Sequence, residues 1–330
     1  MIRLGLQIPN FTFPGVSDAQ LFDHVATIAR TGEEVGFDSV WVMDHFYQLP
    51  LLGPPENAML EAYTLLGALA ARTTTARLGT LVTGVTYRNP AILAKQVTTL
   101  DVISGGRAVL GIGAAWFAPE HDGYGVSFPP VGERMDRLEE AVLICKAMFK
   151  SERPLFAGHH YRVRYPINSP APIQAGGPPI LIGGSGEKRT LKIAARYADA
   201  VNLICDRDDI PRKVKVLAEH CAAEGRDPAT INKTWLASAV VGPSPMEAIE
   251  NRDKMLAARG ISWDYLDNDQ RLSLTGRLLV GTPEIVGAKI KQLAIDQGLD
   301  GVILNFPGNS HDLVDALTFA GPILRAAVEG

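Results

Sequence analysis

The chain predicts an α/β protein, a closed (β/α)8 TIM barrel with insertion segments at its C-terminal mouth. Three observations carry that expectation. Short apolar, β-branched runs recur eight times along the 330 residues. Each run is apolar on both faces, as parallel strands covered on both sides must be. Amphipathic stretches of helical period separate them, and no half-way linker divides the chain. An open doubly wound sheet competes, but eight alternations in a chain of this length suit closure better.

The eight candidate strands are "RLGLQIP" (3–9), "DSVWVMD" (38–44), "ARLGTLVTG" (76–84), "RAVLGIG" (107–113), "PILIGG" (179–184), "AVNLIC" (200–205), "TWLASAVV" (234–241) and "GVILNF" (301–306). After the first, Ser17 or Asp18 caps a helix whose Leu21, Phe22, Val25, Ile28, Ala29 and Val35 keep to one face, and Gly36 closes it. "GERMDRLEEAVLICKAMF" sets Met135, Leu138, Val142, Cys145 and Met148 on a similar stripe. "GTPEIVGAKIKQLAIDQG" opens with Thr282 as cap and Pro283 in the first helical position, and closes at Gly298. Two stretches interrupt the alternation. The proline- and glycine-rich segment 151–179 is expected to cover one mouth as an irregular insertion, and a second insertion, about 261–280, precedes the helix that leads to the last strand. Neither reads as a separate domain, so 1–330 is taken as one barrel domain.

Composition narrows the partners. With 46% hydrophobic residues the chain can bury a large core, and 32 basic against 36 acidic residues leave a net charge of −4. No Lys/Arg-rich block could neutralise a phosphate backbone, so nucleic acid is not an expected partner. "MIRLGLQIPNF" reads as a first strand and not as a signal peptide, and no apolar run approaches the ~20 residues of a membrane span. Cytoplasmic residence without a membrane partner is the expectation. Cys145, Cys205 and Cys221 form no CxxC pair and imply neither disulfide framework nor zinc site, and without HExxH or comparable spacing no metal is inferred.

Barrel enzymes build their sites at the C-terminal ends of the strands, so strand exits are where chemistry is sought. The second strand ends in Asp44-His45. An imidazole there can exchange a proton near neutral pH, whereas the plain alternative has Asp44 capping a turn and His45 packing. Asp44 should point to the opposite side of an extended strand from His45. The fifth exit, "GGSGEKRT", carries Gly183, Gly184, Ser185 and Gly186 before a helix expected near Glu187, with Lys188 and Arg189 adding charge. It suits a phosphate or is a simple strand-to-helix turn. In "GIGAAW" (111–116) Trp116 takes the place of the third glycine of a dinucleotide motif, which excludes a Rossmann site. Gly113 and Ala114 then make a low wall for a flat ring, or a tight turn. "WFAPEH" offers Glu120 and His121 as an acid–base pair or as solvated loop residues. His24 and His220 fall in helical stretches, and His159-His160 in the insertion.

With these exits in hand the chain resembles the bacterial luciferase-like monooxygenase superfamily, and within it the coenzyme F420-dependent oxidoreductases. The resemblance rests on "GFDSVWVMDHF" (36–46), "EAYTLLGALAARTTTARLGTLV" (61–82), "YRNPAILAKQVTTLDVISGGRAVLGIGAAWF" (87–117), "GERMDRLEEAV" (132–142), "ILIGGSGEKRTLKIAARYADAVN" (180–202) and the closing "GTPEIVGAKI" and "GVILNF". It implies a TIM barrel with a deazaflavin at the C-terminal mouth. Asp44 and His45 match the family's Asp-His pair, where the histidine lies near the deazaflavin and acts in proton transfer. Thr80, Leu81 and Val82 match the bulge after the third strand, where a non-prolyl cis peptide, here Leu81–Val82, backs the ring. "GGSG" matches the phosphate cradle.

The resemblance also marks departures. Sugar-phosphate and alcohol dehydrogenases of the superfamily carry a tryptophan soon after the Asp-His pair, absent from "HFYQLP", and a glutamate where this chain has Trp116. Glu120 or His121 are the candidates to replace that acid. The expected activity is hydride transfer between coenzyme F420 and a small organic molecule, contacted by Trp116, His121 and Tyr47. FMNH2-dependent monooxygenation and non-catalytic flavin binding are the alternatives, and FMN the alternative cofactor. Phe11, Phe13, Phe46, Phe117 and Phe306 add to a hydrophobic compartment. A homodimer is a further expectation that the resemblance carries. An aldolase on the same barrel would need a Schiff-base lysine at a strand exit, and none of the eight ends in one.

Overall fold

Alternation along each strand sorts side chains into two shells. The computed structural model describes residues 1–309 and 313–329. Among these, β1 (Leu4–Ile8), β2 (Ser39–Val42), β3 (Arg77–Thr80), β4 (Ala108–Gly113), β5 (Ile180–Gly183), β6 (Ala200–Leu203), β7 (Asn232–Val241) and β8 (Gly301–Asn305) pair in parallel, each with the next in the chain. The circle closes through Leu4↔Val302, Gly5↔Ile303 and Leu6↔Leu304. Inward-pointing Ile2, Trp41, Leu81, Val109, Leu181, Ala200 and Ile303 fill the barrel. Trp41 takes most of the lower interior, donating through Nε1 to Ser39 Oγ (3.0 Å), and neighbouring strands make room for it with Gly5 and Gly79, where a Cβ would fall 2.9 and 2.8 Å from the indole.

Outward-pointing residues of the same strands (Leu6, Val40, Leu78, Leu110, Ile182, Val201) join the larger core under the helices. These are α1 (Asp18–Glu34), α2 (Ala62–Ala70), α3 (Pro90–Ser104), α4 (Ala118–Gly123), α5 (Val131–Phe149), α6 (Thr190–Tyr197), α7 (Ile210–Ala223), α8 (Pro245–Ala257), α9 (Asn268–Thr275), α10 (Pro283–Leu293) and α11 (Leu313–Glu329). The predicted caps are present. Ser17 precedes α1 with the Gln20 side chain folded back onto its N–H (3.2 Å), and Thr282 Oγ1 accepts from the N–H of Ile285. The stripe Met135, Leu138, Val142, Cys145 and Met148 is buried along α5. Among the described residues no helix is long and apolar enough to cross a membrane.

Both interrupting segments carry order that local sequence did not announce. Residues 151–179 contain an antiparallel hairpin, Leu155–Ala157 with Arg162–Arg164, seated on Glu140 of α5, which accepts from the N–H groups of His159, His160 and Tyr161. Farther on, Asn168 bonds Thr98 and Met148, and Gln174 bonds Asp101. The segment therefore runs along α3 and α5, and it reaches the mouth through Tyr161, whose hydroxyl donates to the Val85 carbonyl (3.2 Å). The 261–280 stretch holds α9 and a further strand, Leu278–Gly281, which pairs with the outer half of β7 from Ser238↔Leu278 to Val241↔Gly281. β7 has ten residues and β8 pairs only with Thr234–Ser238, so its projecting end offers an edge that this strand covers.

Candidate active site at the barrel mouth

The Asp44-His45 pair at the end of β2 splits as strand alternation requires. Asp44 keeps the outward side of Val40 and Val42, between the barrel and α2–α3, and is buried. Arg88 grips it in a bidentate pair (Nη1 to Oδ2 2.7 Å, Nη2 to Oδ1 2.8 Å), and the N–H of Gly84 donates to Oδ2 (3.1 Å). The same guanidinium reaches Glu61 (2.7 Å) and lies 4.8 Å from the centre of the Tyr63 ring. Burial alone would lower the Arg88 pKa, but Asp44 outweighs it and holds the guanidinium above its ordinary range. Thr80 belongs to this outer network as well: its hydroxyl bonds the Gly111 carbonyl (2.9 Å) and Thr83 Oγ1 (2.6 Å), which in turn meets the Tyr63 hydroxyl (2.7 Å). The side chains of Asp44 and Thr80 thus stay outside the mouth.

His45 turns inward and meets Glu120 of α4, Nδ1 to Oε2, at 3.0 Å. Glu120 is fully buried and takes four donors. Oε1 accepts from the N–H groups of Phe46 (2.6 Å) and Tyr47 (2.9 Å), and Oε2 accepts from the Tyr87 hydroxyl (2.6 Å) besides His45. Burial alone would raise the Glu120 pKa, but His45, the Tyr47 N–H and the Tyr87 hydroxyl hold it below the ordinary carboxylate range. Burial and the adjacent Glu120 charge push the Tyr87 phenol well above its ordinary value, so it stays a donor. An ionised carboxylate can only accept, which places the shared hydrogen on Nδ1 and leaves Nε2 to face the mouth; no hydrogen-bond partner meets Nε2 among the described residues. Trp116 and Phe117 stand edge-on to the imidazole, with centroids 5.8 and 6.0 Å away.

The other predicted residues divide. Trp116 is 61% exposed and follows Ala115, whose φ is +57°. Tyr47 packs on Tyr124 and borders the mouth. His121 does not reach it: the ring is buried, Nδ1 donates to the Phe117 carbonyl (2.9 Å), Nε2 lies 2.7 Å from Thr86 Oγ1, and Tyr87 stacks on one face. Tyr87 and Arg88 were not singled out from the sequence. The signal was the "TYRNP" run at the third strand exit, where an aromatic and a cation sit just before the Asn89-Pro90 helix start.

The predicted cis linkage is present between Leu81 and Val82. Beyond it Thr83–Gly84 pairs with the end of β4. Glycines are what admit the bulge: a Cβ on Gly111 would meet the Thr80 carbonyl, and Cβ atoms on Gly113 and Gly183 would fall 2.8 and 2.6 Å from Val82 methyls. Ala114 follows, its carbonyl accepting from Arg134 (3.1 Å). In the fifth exit Gly184 has φ +122° and its N–H bonds the Asn202 carbonyl, while Ser185 Oγ accepts from the N–H of Ile204 (2.8 Å). α6 starts at Thr190, later than the expected Glu187, which lies in the preceding turn with its carboxylate on Lys213 and Arg212. Arg189 is spent on Asp136 and the Gly132 carbonyl. The N–H groups of Gly186 and Glu187 have no partner among the described residues, and neither has the exposed ammonium of Lys188.

A cavity of about 1330 Å3 opens on the other side of the mouth, walled by the ends of β1 and β8, the 47–57 loop and α8. It lies beside His45, sharing Tyr47 and Phe117 with that residue's surroundings. Gln7 lines it and is backed by a polar chain from two further strands: Asn305 Nδ2 donates to Gln7 Oε1 (2.8 Å) and Ser238 Oγ to Asn305 Oδ1 (2.7 Å).

Comparison with known proteins agrees with this architecture. An F420-dependent glucose-6-phosphate dehydrogenase of Kineococcus radiotolerans is 33% identical over 233 residues, 69% of this chain and 66% of that one. An F420-dependent hydroxymycolic acid dehydrogenase of Mycobacterium tuberculosis is 34% identical over 67% of this chain and 59% of its own. The matches thus span 66% and 59% of these two relatives, less than two thirds of either. The F420-dependent tetrahydromethanopterin reductase of Methanopyrus kandleri superposes with a TM-score of 0.78 at 20% identity over 97% of each chain, which shows the fold. Residues 2–301 match the luciferase-like monooxygenase family, and the chain belongs to it.

Proposed function

We propose that this protein is an F420-dependent oxidoreductase, transferring a hydride between the deazaflavin and an organic substrate bound in the mouth cavity. The observation that carries the proposal is the inward-facing His45, held through Nδ1 by a fully buried Glu120 with Nε2 left unpartnered. Relatives above 30% identity named for the same cofactor support the choice of coenzyme.

The residues fit such a group. Val82, backed by Gly113 and Gly183, offers a smooth wall for a flat ring. The turn offers the unpaired N–H groups of Gly186 and Glu187 and the Lys188 charge to an anionic tail, with the Glu187 carboxylate already paired with Lys213 and Arg212. Asn202 beside Gly183 keeps a buried Oδ1 without a partner, an acceptor that a ring N–H would satisfy. When bound, the deazaflavin supplies the two-electron hydride chemistry. The chain supplies orientation and the proton: Glu120 fixes the tautomer and plane of His45, so Nε2 is presented as the acceptor for a substrate hydroxyl proton, or as its donor in the reverse direction. Asp44 and Arg88 act one layer out, tying the end of β2 to α2 and to Gly84 behind the bulge.

Fluorescence titration of the purified protein with F420 and with FMN tests the proposal. Micromolar or tighter F420 binding with no measurable FMN binding is expected. FMN binding without F420 binding would replace the proposal with flavin monooxygenation.

A further inference from the structure

We infer that the cavity between the 47–57 loop and α8 takes an elongated apolar molecule with a single anionic head group; this rests on the oxidoreductase reading above and names its substrate class. At about 1330 Å3 the cavity exceeds the roughly 300–1,000 Å3 of ordinary small-molecule sites, so a compact polar metabolite would leave most of it empty. Phe13, Leu52, Phe117, Met255, Phe306 and Leu313 make its walls, and among the described residues no Asp or Glu lines it.

Among the described residues its charge is one-sided. Lys254 and Arg259, on α8 and just beyond it, both line the cavity, and neither has an ion-pair partner among the described residues. Arg259 is half-buried with only the Met255 carbonyl on Nη1 (3.1 Å), and burial lowers its pKa from the ordinary arginine value. A cation withdrawn from water without a counter-charge is costly, and an anionic ligand would remove that cost. On the cavity lining, Gln7 commits its Oε1 to Asn305 and has no partner for its amide nitrogen among the described residues, so it offers donors and no charge. The anion end is also separate from the cofactor's. The Gly184–Gly186 turn follows β5, whereas Lys254 and Arg259 belong to the segment after β7, and no residue of that turn lines the cavity.

Calorimetric titration of the F420-loaded protein and of the protein alone with decanoate, decyl phosphate, decanol, decylamine and acetate tests the inference. At least one of decanoate and decyl phosphate should bind tenfold or more tighter than decanol, with decylamine weaker than decanol and acetate not binding; the tighter of the two identifies the head group. Arg259→Gln and, separately, the exposed Lys254→Gln should each weaken the anion at least threefold and leave decanol unchanged, and Lys254→Gln suffices if the arginine variant does not fold. Decylamine or decanol binding as tightly as both anions, or anion affinity indifferent to the substitutions, overturns the inference. F420 affinity is read separately from deazaflavin fluorescence. Anion selectivity without F420 binding would sink the proposed function alone, and F420 binding without anion selectivity would sink this inference alone.

Discussion

Replacing Glu120 by Gln is the sharpest perturbation the site allows, because it changes one atom and leaves the shape. The carboxylate takes four donors, two N–H groups on Oε1 and Tyr87 and His45 on Oε2. The two backbone N–H groups are fixed donors, so the glutamine must keep its oxygen on them and turn its NH2 towards Tyr87 and His45. Tyr87 can rotate its hydroxyl to accept. His45 can accept only by giving up the Nδ1 hydrogen, which moves to Nε2 and reverses what the ring presents to the mouth.

Hydrogen bonds to a charged group are each worth about 1.5–3 kcal/mol, and the variant keeps weakened neutral versions of all four, so a net loss of about 2 kcal/mol is expected. At roughly 2.1 cal/mol/K per residue, 330 residues give about 0.7 kcal/mol per degree, and the loss corresponds to about 3 °C in Tm. Turnover should fall about 10²–10⁴-fold, the usual contribution of a positioned acid or base, with F420 affinity unchanged. Histidine ring 15N shifts read the tautomer directly, and urea unfolding reads the stability. An Nδ1–H tautomer persisting in Glu120→Gln, or a full-speed variant, would refute the orientation of His45 by Glu120.

Three more predictions follow from single contacts. Arg88→Leu strips the charge partner from a buried Asp44 and should cost about 3–5 kcal/mol in urea unfolding, far more than Arg72→Leu at an exposed pair. Gly183→Ala sets a Cβ 2.6 Å from a Val82 methyl and should cost about 1–3 kcal/mol while weakening F420 at least tenfold by fluorescence titration. Cys145 is buried, and burial pushes its thiol up to about 12, whereas the partly accessible Cys205 stands at about 11; at pH 8 a thiol reagent should label native protein slowly at Cys205 and not at Cys145, as peptide mapping would show.

Parity made much of this site readable beforehand. Period two separates Asp44 from His45 and puts Leu81 inside the barrel, and the same rule assigns Thr80 to the outer side with Leu78, although its place beside the bulge suggested a cofactor contact. What parity cannot give is a partner from a distant loop. Tyr87 reaches Glu120 across 33 positions and Arg88 reaches Asp44 across 44, and both meetings depend on how the third strand's exit folds back over the second. His121 follows Glu120 in sequence but lies on the inner side of α4, where Thr86 and Phe117 hold it. The Leu278–Gly281 strand is legible only once β7 is known to outrun β8.

Acid behaviour then discriminates between the two roles a buried glutamate can have here. A carboxyl meant to donate a proton has its pKa raised by its surroundings, whereas Glu120 is held low by four donors, so its stabilising effect is present above the unfolded glutamate's pKa of about 4.3. That contribution is lost as pH falls through the lower, folded value. Wild-type stability should therefore fall on the acid side below about pH 5, and Glu120→Gln should flatten that limb while changing little between pH 6 and 8 beyond its constant offset. Asp44 is held by Arg88 and Gly84 on the outer side of the strand, away from the mouth. With both carboxylates engaged, the proposed proton-transfer role falls to His45, whose Nε2 has no partner among the described residues. A variant limb as steep as the wild type's would mean that Glu120 is not ionised in the fold, and the acid would have to be sought there after all.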